Sequence, residues 1–528
     1  MKKKTYLITV FLLIIFNSLR ADNNNEELIN LQIKKLKYIL EVAQKFHKDS
    51  IDIVNACDNA FMKLLNSFDP NSEYYPKSVM AKINERNQGI TVGIGIDFAY
   101  LNDSITIVSI AKSSPAEEMN LNIGDKILEI EGQDIRNLKR EEILNLINGD
   151  TNTILNIKIK KFWDDEVKIF SVSRKEYESY SINSYFMLNN EVAYVSLNRF
   201  SDLLSKEFKE VSEIFVKSKA KKIILDLRGN MGGYLGRAVE IADYFLKKPH
   251  NICTTLSKNE QFREVFNATD GQVFENLPLI VLVDSNSASG SEVIAASIQD
   301  NDRGLIIGMP TYGKATAQKM YNMIDSTAFR ITVAEYITPL GRKIHKDKKQ
   351  VKIAFDELTT NNINKQVIEE IVNKYGGKPT VDIYTTPKGR ILFSFGGIYP
   401  DIYVKADSVT PLTTVLRKRG IYLEWALNYL KNEQQNFLKK YKSFEKYLDS
   451  FVINDSLLNN FREYSLKKKV WNDDMFLKDK ELIKNHLKSV IAYIVWGPNE
   501  SSRISIELDI FVKYALENFD EAEKLFKN

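Results

Sequence analysis

Residues 279–292 have the sequence LIVLVDSNSASGSE, in which an apolar run leads into a turn of serine, alanine and glycine. The run Leu279–Val283 predicts a buried β-strand, and the apolar residues after Glu292 predict a helix that ends at Asp300. Small residues allow Ser289 to stand at the turn between strand and helix, where free backbone N–H groups favour negative charge. The segment therefore predicts either an oxyanion site or, if it stands alone, a serine-rich helix cap.

Strands and helices alternate on both sides of this stretch, over residues 190–345, which is typical of an α/β domain. The predicted strands are Ala193–Leu197, Ile223–Leu227 and Leu279–Val283, and the predicted helices are Leu203–Lys217 and Leu235–Phe245. The second of these strands runs into the glycine-rich segment Arg228–Gly233.

Residues 89–173 have a different character, because short β-branched runs are separated by turn signals such as Ser114-Pro115 and Gly124-Asp125. The predicted strands are Ile94–Phe98, Ser104–Ile110, Lys126–Ile130 and Ile154–Ile159, with one helix over Lys139–Ile147. This pattern predicts a small β-rich domain.

Both ends of the chain are predicted to be helical. Apolar residues recur at near-helical spacing over residues 26–68, and Asp69-Pro70-Asn71-Ser72 ends the pattern. We expect this segment to pack as a helical cap. After about residue 402 the chain is lysine-rich with scattered aromatic residues, which predicts an accessory helical domain.

The composition is that of an ordinary globular protein. The chain has 528 residues, of which 44% are hydrophobic and 27% charged, with a formal net charge of +4. This length predicts roughly three or four domains. Basic and acidic residues are mixed along the sequence, which argues against a nucleic-acid-binding protein.

Residues 1–21 have the pattern of a secretory signal peptide. Lysines at positions 2–4 precede the apolar run Tyr6–Phe16, and a polar stretch begins at Asn17. The run is well short of the ~20 residues that a membrane-spanning helix needs. We expect cleavage after Ala21 and export to a periplasm-like space. An uncleaved helix that tethers the protein to a membrane is the alternative.

Several common chemistries find no support in the sequence. The four histidines lie apart from any recognisable serine or cysteine motif, which leaves a Ser-His-Asp triad or a zinc site unsupported: His47, His250, His345 and His486. Cys57 and Cys253 are too few for a disulfide framework, and we expect two buried thiols. Gly308–Lys314 begins like a nucleotide-binding P-loop, but Ala315 stands where that loop needs a hydroxyl. We expect no nucleotide, metal or organic cofactor.

The segment around Ser289 is followed by further motifs in order. Ser287–Glu292, Gln299-Asp300 and Thr311–Gln318 resemble the catalytic run of the carboxyl-terminal processing peptidases, also called tail-specific proteases. The resemblance implies that Ser289 is the nucleophile, Lys314 its base and Gln318 the residue that orients the lysine. Two positions depart from the family pattern, because Ala315 replaces a usual glycine and Gly290 replaces a common alanine.

This pairing is chemically coherent. A serine hydroxyl is a poor nucleophile until a base takes its proton. Lysine has a reference pKa of about 10.4 and is charged at neutral pH, but burial destabilises the ammonium and lowers that pKa. We therefore expect a desolvated Lys314 that Gln318 holds in place.

Glycine-rich elements extend the resemblance. The segment Asp226–Gly233 resembles the family's Asp-Leu-Arg-x-Asn-x-Gly-Gly loop, which implies an oxyanion hole formed by the amides of Gly233 and Gly290. Further turns resemble family elements: Phe68–Ser72, Thr338–Arg342 and, after an insertion, Gly396–Asp401. The remainder of the chain, to residue 528, resembles the helical extension of Bacteroidetes-type members.

The β-rich domain resembles a PDZ module. Its string Gly93-Ile94-Gly95-Ile96 stands where such modules bind a terminal carboxylate with backbone N–H groups, and the peptide then adds as a strand along the sheet edge. Alone, the string also fits a strand bend. The implied partners are polypeptides with free C-terminal tails, without nucleic acid or nucleotide; an adaptor protein or a second copy stays open.

The expected fold is a multidomain α/β chain. Its parts are a signal peptide over residues 1–21, a helical N-terminal segment over 22–87, a PDZ domain over 88–175, a Ser-Lys peptidase core over 176–401 and a helical C-terminal domain over 402–528. The expected function is that of an exported serine endopeptidase that cuts polypeptides near their C-termini after PDZ capture. The alternatives are an inactive or latent PDZ adaptor and a structural exported protein.

Overall fold

The computed structural model describes residues 25–346, 382–394, 396–406 and 408–527, and the chain divides into two compact units. The first unit comprises Met1–Met80 and Gln318–Thr332, and the second comprises Ala81–Ala317 and Val333–Asn528. The predicted signal peptide lies outside the described residues.

The first unit begins with two helices and a short strand: α1 over residues 25–46, α2 over Ile53–Phe68 and β1 over Glu73–Tyr75. The predicted stop signal ends α2, because the Asp69 carboxylate accepts the N–H groups of Asn71 at 2.7 Å and Ser72 at 3.0 Å. The expected packing of α1 as a cap is not observed, since apolar residues along it are exposed: Leu28, Ile29, Leu31, Ile33, Leu36, Ile39 and Val42.

The second unit begins with the β-rich part that the sequence predicts. The bounds of the predicted strand Ile94–Phe98 are wrong, because Gly95 has φ +82° and the strand begins only at Ile96. The elements of this part are more numerous than the sequence predicted. They are α3 (Lys77–Gln88, which starts in the first unit), β2 (Ile90–Gly93), β3 (Ile96–Leu101), β4 (Ser104–Ile110), α4 (Pro115–Glu118), β5 (Lys126–Ile130), β6 (Gln133–Asp134), α5 (Arg140–Ile147), β7 (Ile154–Lys160), β8 (Val167–Ser173) and β9 (Lys175–Glu178). The sheet has the order β3-β4-β5-β7-β8, with β6 on β5, and β2 pairs separately with β9. Isoleucines such as Ile107, Ile130 and Ile157 form its core.

The α/β part contains the longer sheet. Its elements are β10 (Ile182–Met187), β11 (Val192–Leu197), α6 (Leu204–Lys217), β12 (Lys222–Asp226), α7 (Leu235–Asp243), β13 (Asn251–Leu256), β14 (Glu264–Asn267), β15 (Leu279–Val283), α8 (Gly290–Asp300), β16 (Leu305–Gly308), β17 (Thr316–Asn322), β18 (Ala328–Ile337), β19 (Asp382–Thr385), β20 (Ile391–Ser394) and β21 (Ile402–Tyr403). The sheet order is β10-β11-β12-β15-β16-β21; β10 is antiparallel and the other pairings are parallel.

Strands β17 and β18 each have residues in both units. In the first unit, residues 328–330 of β18 pair antiparallel with β1. In the second unit, residues 335–337 of β18 pair antiparallel with β13, which also pairs with β14.

The central strands are continuously apolar because both faces of the sheet are buried. Ile223 and Leu225 pack in one core cluster with α6, α7 and α8. Ile224 packs on the opposite face, in a cluster that contains Phe511 and Phe519 from near the end of the chain. The sheet is therefore covered by helices on both faces.

The C-terminal region is helical, as predicted. Its helices are α9 (Pro411–Lys418), α10 (Ile421–Lys440), α11 (Phe444–Ser450), α12 (Asp455–Lys467), α13 (Asp473–Val495), α14 (Pro498–Ser505), α15 (Ile510–Glu517) and α16 (Phe519–Lys527). Aromatic residues such as Trp425 and Phe461 form its core, against which Leu101 and Phe162 of the β-rich part pack. None of the helices in the described ranges is long and apolar enough to cross a membrane. The domain boundaries predicted from sequence stay predictions.

Candidate active site

Ser289 lies between β15 and α8, at the N-cap position of that helix. Its backbone has φ 56° and ψ −111°, a region that non-glycine residues rarely adopt. Such strain costs on the order of 1–3 kcal/mol and is characteristic of functional sites. The side chain is half-buried, whereas every residue of α8 is buried. The predicted turn therefore presents Ser289 on a rigid support.

The glycine-rich loop after β12 contacts the segment of Ser289. The carbonyl of Asn230 accepts the Ala288 N–H at 3.0 Å and the Ser291 hydroxyl at 2.8 Å. Gly232 has φ +100°, and a Cβ there would lie 2.8 Å from the Cβ of Ser289. The close approach of the two loops therefore requires glycine at position 232.

The two predicted oxyanion-hole residues lie on these same segments. A Cβ on Gly233 would lie 2.4 Å from the carbonyl oxygen of Phe200. Gly290 is the first residue of α8, and a Cβ on it would lie 2.9 Å from the Phe200 ring and 3.0 Å from the Cβ of Ala238. Tight packing accounts for glycine at position 290, where the family commonly has alanine.

Lys314 lies in the loop between β16 and β17 and is half-buried. Its backbone is joined to that of Ser289 through a single carboxylate, because Glu292 Oε2 accepts both N–H groups at 2.8 Å. The other oxygen of Glu292 accepts the Thr311 hydroxyl at 2.6 Å and the Gly313 N–H at 2.7 Å. The structure thus brings the two predicted catalytic segments together on one side chain.

Glu292 is fully buried, and this burial raises the pKa of its carboxyl group, while the four donated hydrogen bonds lower it. From the sequence alone, Glu292 has no assigned role. Its spacing from Ser289 is that of a capping box, Ser-x-x-Glu, in which the acidic side chain reaches back to the N-cap amide. That pattern could have identified this contact, but not the contacts to residues 311–314.

Tyr336 forms a second connection between the predicted catalytic residues. Its buried hydroxyl contacts the carbonyl oxygen of Ser289 at 3.0 Å and that of Lys314. Burial raises the pKa of this hydroxyl well above its ordinary value, so it stays protonated as a donor. Sequence reasoning missed Tyr336, which lies on β18 far along the chain from both partners.

The residue after the predicted base packs without strain. Ala315 is buried in the main core cluster, which accommodates the methyl group that the family's usual glycine lacks. Its N–H donates to Nδ1 of His345 at 3.4 Å. His345, which the sequence analysis set aside, therefore lies beside the Lys314 segment.

Gln318 belongs to the first unit, where its amide donates to the Thr332 hydroxyl at 3.4 Å. Thr332 in turn donates to Asp69 at 3.0 Å, within the turn that resembles a family element. The predicted role of Gln318 in orienting Lys314 stays a prediction.

The predicted carboxylate-binding loop joins β2 to β3. Gly93 ends β2 and Ile96 begins β3. Gly95 has φ +82°, and a Cβ there would lie 2.1 Å from the Cβ of Ser114, so the bend requires glycine. The carbonyl of Ile94 accepts the Ala116 N–H at 2.9 Å, which fixes the loop against the turn that begins α4.

Three further segments that resemble family elements contact one another: Gln299-Asp300, Thr338–Arg342 and Gly396–Asp401. Arg342 is completely buried and donates to Gln299 at 3.0 Å and to Asp300. The Gln299 amide also donates to Asp401 at 3.0 Å. These buried contacts therefore join the end of α8 to the segments around residues 342 and 401.

The two cysteines are both free thiols, and they differ in burial. Of the two free cysteines, Cys253 is buried as expected, whereas Cys57 is only half-buried. The described residues contain no group of three or more His, Cys, Asp or Glu side chains suited to a metal ion.

Three family descriptions match parts of the chain. Residues 191–357 match Peptidase family S41, residues 92–173 match the PDZ domain, and residues 412–497 match a family of unknown function, DUF8443. The first two matches fall within the predicted core and PDZ regions, whose bounds they leave untested. The third falls within the C-terminal helices.

The chain is also similar to curated proteases. It is 28% identical to a carboxy-terminal-processing protease of Bartonella bacilliformis over 61% of this chain and 74% of the relative. It is 29% identical to a probable CtpA-like serine protease of Staphylococcus aureus over 65% of this chain and 68% of the relative. The solved photosystem II D1 C-terminal processing protease is 22% identical over 58% of this chain and 83% of that one, with a TM-score of 0.34. The chain is a homologue of the carboxy-terminal-processing proteases that combines a PDZ domain with a core of the serine protease family S41.

Proposed function

We propose that this protein is a serine endopeptidase that cuts polypeptides near their C-termini with Ser289 as nucleophile and Lys314 as base. The observation that carries the proposal is the shared carboxylate of Glu292, which accepts the backbone N–H groups of both residues. Two further observations support the same assignment. The backbone of Ser289 is strained, with a positive φ, and the glycine-rich loop after β12 contacts it.

In the proposed reaction, the neutral amine of Lys314 takes the proton of the Ser289 hydroxyl as its oxygen attacks the scissile carbonyl carbon. The amides of Gly233 and Gly290 donate to the oxyanion that develops on the substrate. Each such donor is worth about 3 kcal/mol of transition-state stabilisation. The lysine then returns the proton to the leaving amine, and water hydrolyses the acyl-enzyme by the reverse sequence of proton transfers.

Substrate capture is assigned to the PDZ domain. The terminal carboxylate of a tail binds at the loop Gly93–Ile96, and the tail adds as a strand beside β3. Support comes from the match to the PDZ domain and from the position of β3 at the edge of its sheet.

The proposal includes export. Its support is the basic and apolar pattern of residues 1–21, which resembles a signal peptide. Fractionation of cells that express the chain, followed by N-terminal sequencing of the product, tests this part. A mature N-terminus near Asp22 in an extracytoplasmic fraction is expected, and an uncleaved chain in the cytoplasm contradicts it.

The decisive experiment compares cleavage of an unfolded protein with an apolar C-terminus by the parent chain, Ser289→Ala and Lys314→Ala. Ser285→Ala and Lys343→Ala are matched controls, because both side chains are exposed nearby. We expect activity in the parent and the controls and its loss in both dyad variants. If activity survives in Ser289→Ala, Ser289 is not the nucleophile. An inactive parent that still binds tails indicates the alternative function, a latent PDZ adaptor.

A further inference from the structure

The edge of the PDZ sheet that the proposed function uses is partly occupied by the protein's own side chains. Among the strands that the structure describes, β3 pairs with β4 alone, so its other side is an open edge. A substrate tail can add there only if the backbone N–H and C=O groups along that edge are available.

Phe98 has both of its backbone groups taken by side chains. Its N–H donates to Asp97 Oδ1 at 2.9 Å, and its carbonyl accepts from the guanidinium of Arg140. The N–H and C=O of one residue point to the same side of an antiparallel strand. The partner of Phe98 on β4 is Ile107, whose own N–H and C=O bond Asp125 and Gly124 on the far side of β4, at 2.8 Å each. Phe98 and Ile107 are therefore a non-hydrogen-bonded pair, and the backbone groups of Phe98 face the open edge.

Arg140 spans the space between the edge strand and α5, of which it is the first residue. Its second guanidinium nitrogen donates to the same Asp97 oxygen at 2.6 Å, and its guanidinium carbon lies 4.7 Å from the centre of the Phe98 ring. A second bridge runs nearby, from the Tyr100 hydroxyl to the Leu138 carbonyl at 2.6 Å.

The ion pair is displaceable. The side chains of Arg140 and Asp97 are 47% and 56% exposed, and an exposed ion pair contributes little to stability. A neutral tail that adds at Phe98 displaces Arg140 from the Phe98 carbonyl and disturbs its pairing with Asp97. Such a tail offers Arg140 no new charged partner. A tail with a carboxylate side chain replaces Asp97, since guanidinium and carboxylate form a strong, charge-assisted pair.

We propose that Arg140 and Asp97 form an internal plug of the PDZ edge, and that polypeptide tails with an Asp or Glu side chain near the C-terminus displace it. The inference rests on the proposed PDZ capture and adds the class of tail that is captured. Arg140 is thereby a specificity-determining residue that acts before cleavage.

The test measures binding of fluorescent ten-residue peptides to full-length Ser289→Ala protein by anisotropy, at one fixed ionic strength. The peptides have an apolar C-terminus, and one of the three residues before it is Asp in one series and Asn in the other. A control peptide carries the Asp near its N-terminus, beyond the reach of β3. We expect one Asp position to bind about 3-fold to 5-fold more tightly than its Asn partner, the equivalent of one exposed arginine–carboxylate pair.

Variants in the same background isolate the plug. Arg140→Gln is expected to bring the Asp-to-Asn affinity ratio to about 1, and Asp97→Asn to tighten binding of the Asn peptides about 3-fold by weakening the plug. Arg136→Ala is the matched control, because Arg136 pairs with nearby Asp134 on the surface of the same domain. The affinity ratio of this variant is expected to equal that of the parent.

The outcomes separate this inference from the proposed function. Tails that bind equally in both series, or a ratio that Arg140→Gln leaves unchanged, overturn the inference and leave PDZ capture intact. If no peptide binds to any variant while the parent still cleaves unfolded protein, both the plug and PDZ capture are wrong, and the catalytic assignment stands.

Discussion

Arg228 and Asp509 lie 281 positions apart in the chain and form a two-point ion pair, with nitrogen–oxygen distances of 3.1 and 2.8 Å. Arg228 also bonds Asp226 at the end of β12, where the glycine-rich loop begins. Asp509 caps α15, which packs on the sheet. The end of the chain is therefore tied directly to the loop that we assign to oxyanion binding.

Asp509→Asn is expected to lower both stability and turnover. The change keeps a side-chain oxygen for the helix cap but removes the charge that faces the largely buried Arg228, at a cost of about 1–3 kcal/mol. We expect kcat to fall roughly 10-fold with little change in KM, because a displaced oxyanion donor affects the transition state. Urea unfolding and steady-state kinetics measure the two effects.

A matched control for Asp509 is Asp473→Asn, which removes an exposed pair with Arg462 and should change neither quantity. Equal loss of stability in the two variants, with kcat unchanged in both, contradicts a link between the last helices and the glycine loop.

Glu292→Gln is expected to reduce kcat about 100-fold while the protein stays folded. The Glu292 carboxylate accepts four hydrogen bonds, whereas an amide turns one of its two ends into a donor that faces two other donors. This mismatch costs about 1–3 kcal/mol and separates the backbones of Ser289 and Lys314.

Glu240→Gln on the surface of α7 controls for the loss of a carboxylate. Binding of a C-terminal peptide to Glu292→Gln should match the parent, since the PDZ domain is untouched. Parent-like kcat in Glu292→Gln contradicts a positioning role for this carboxylate.

Tyr336→Phe removes only the hydroxyl that contacts the carbonyls of Ser289 and Lys314. The two carbonyls then lose the single hydroxyl donor that they share, which is expected to cost about 1–2 kcal/mol of stability. We expect a roughly 10-fold fall in kcat at unchanged KM, because the ring still fills its site. Tyr194→Phe, which removes a buried hydroxyl bonded to Asp226, provides a comparison. An effect on stability alone, with kcat unchanged, would mean that Tyr336 has a structural role and does not position the catalytic residues.

His486 makes the C-terminal helices sensitive to acid. Burial and the neighbouring Arg417 lower the pKa of His486 to about 4, from an ordinary value of 6.5. Between these values the unfolded chain binds more protons than the native chain, so stability falls as the pH drops. The contribution of His486 to this loss between about pH 7 and about pH 5 is about 2 kcal/mol.

His486→Gln removes this contribution, so its unfolding free energy should fall less between the two pH values than that of the parent. Urea titrations at both pH values, followed by circular dichroism, measure the difference. Parallel pH profiles for parent and variant contradict the assignment.

Much of the secondary structure followed from local patterns. The sequence predicted strands over Ser104–Ile110, Lys126–Ile130 and Leu279–Val283, and the structure has the same bounds. Helices predicted over Leu203–Lys217 and Lys139–Ile147 each begin one residue later. Apolar periodicity and turn residues act within a few positions, so they can be identified without knowledge of the fold.

The same periodicity was misleading where burial decides the outcome. The spacing of Leu28, Leu31 and Leu36 correctly predicts a helix in α1, but not a buried face. A helical pattern specifies which residues share one side, whereas only the tertiary structure determines whether anything covers that side.

The sequence by itself determined the family of the core, the order of its motifs and the identities of Ser289 and Lys314 as candidate catalytic residues. Only the tertiary structure revealed that Glu292 and Tyr336 join those two residues, that Asp509 reaches Arg228, and that Arg140 occupies the PDZ edge. The physical reason is the distance along the chain over which each kind of feature acts. Motifs and periodicity are short-range features of the chain, whereas these contacts form between distant segments, and their partners are selected by the packing of the whole fold.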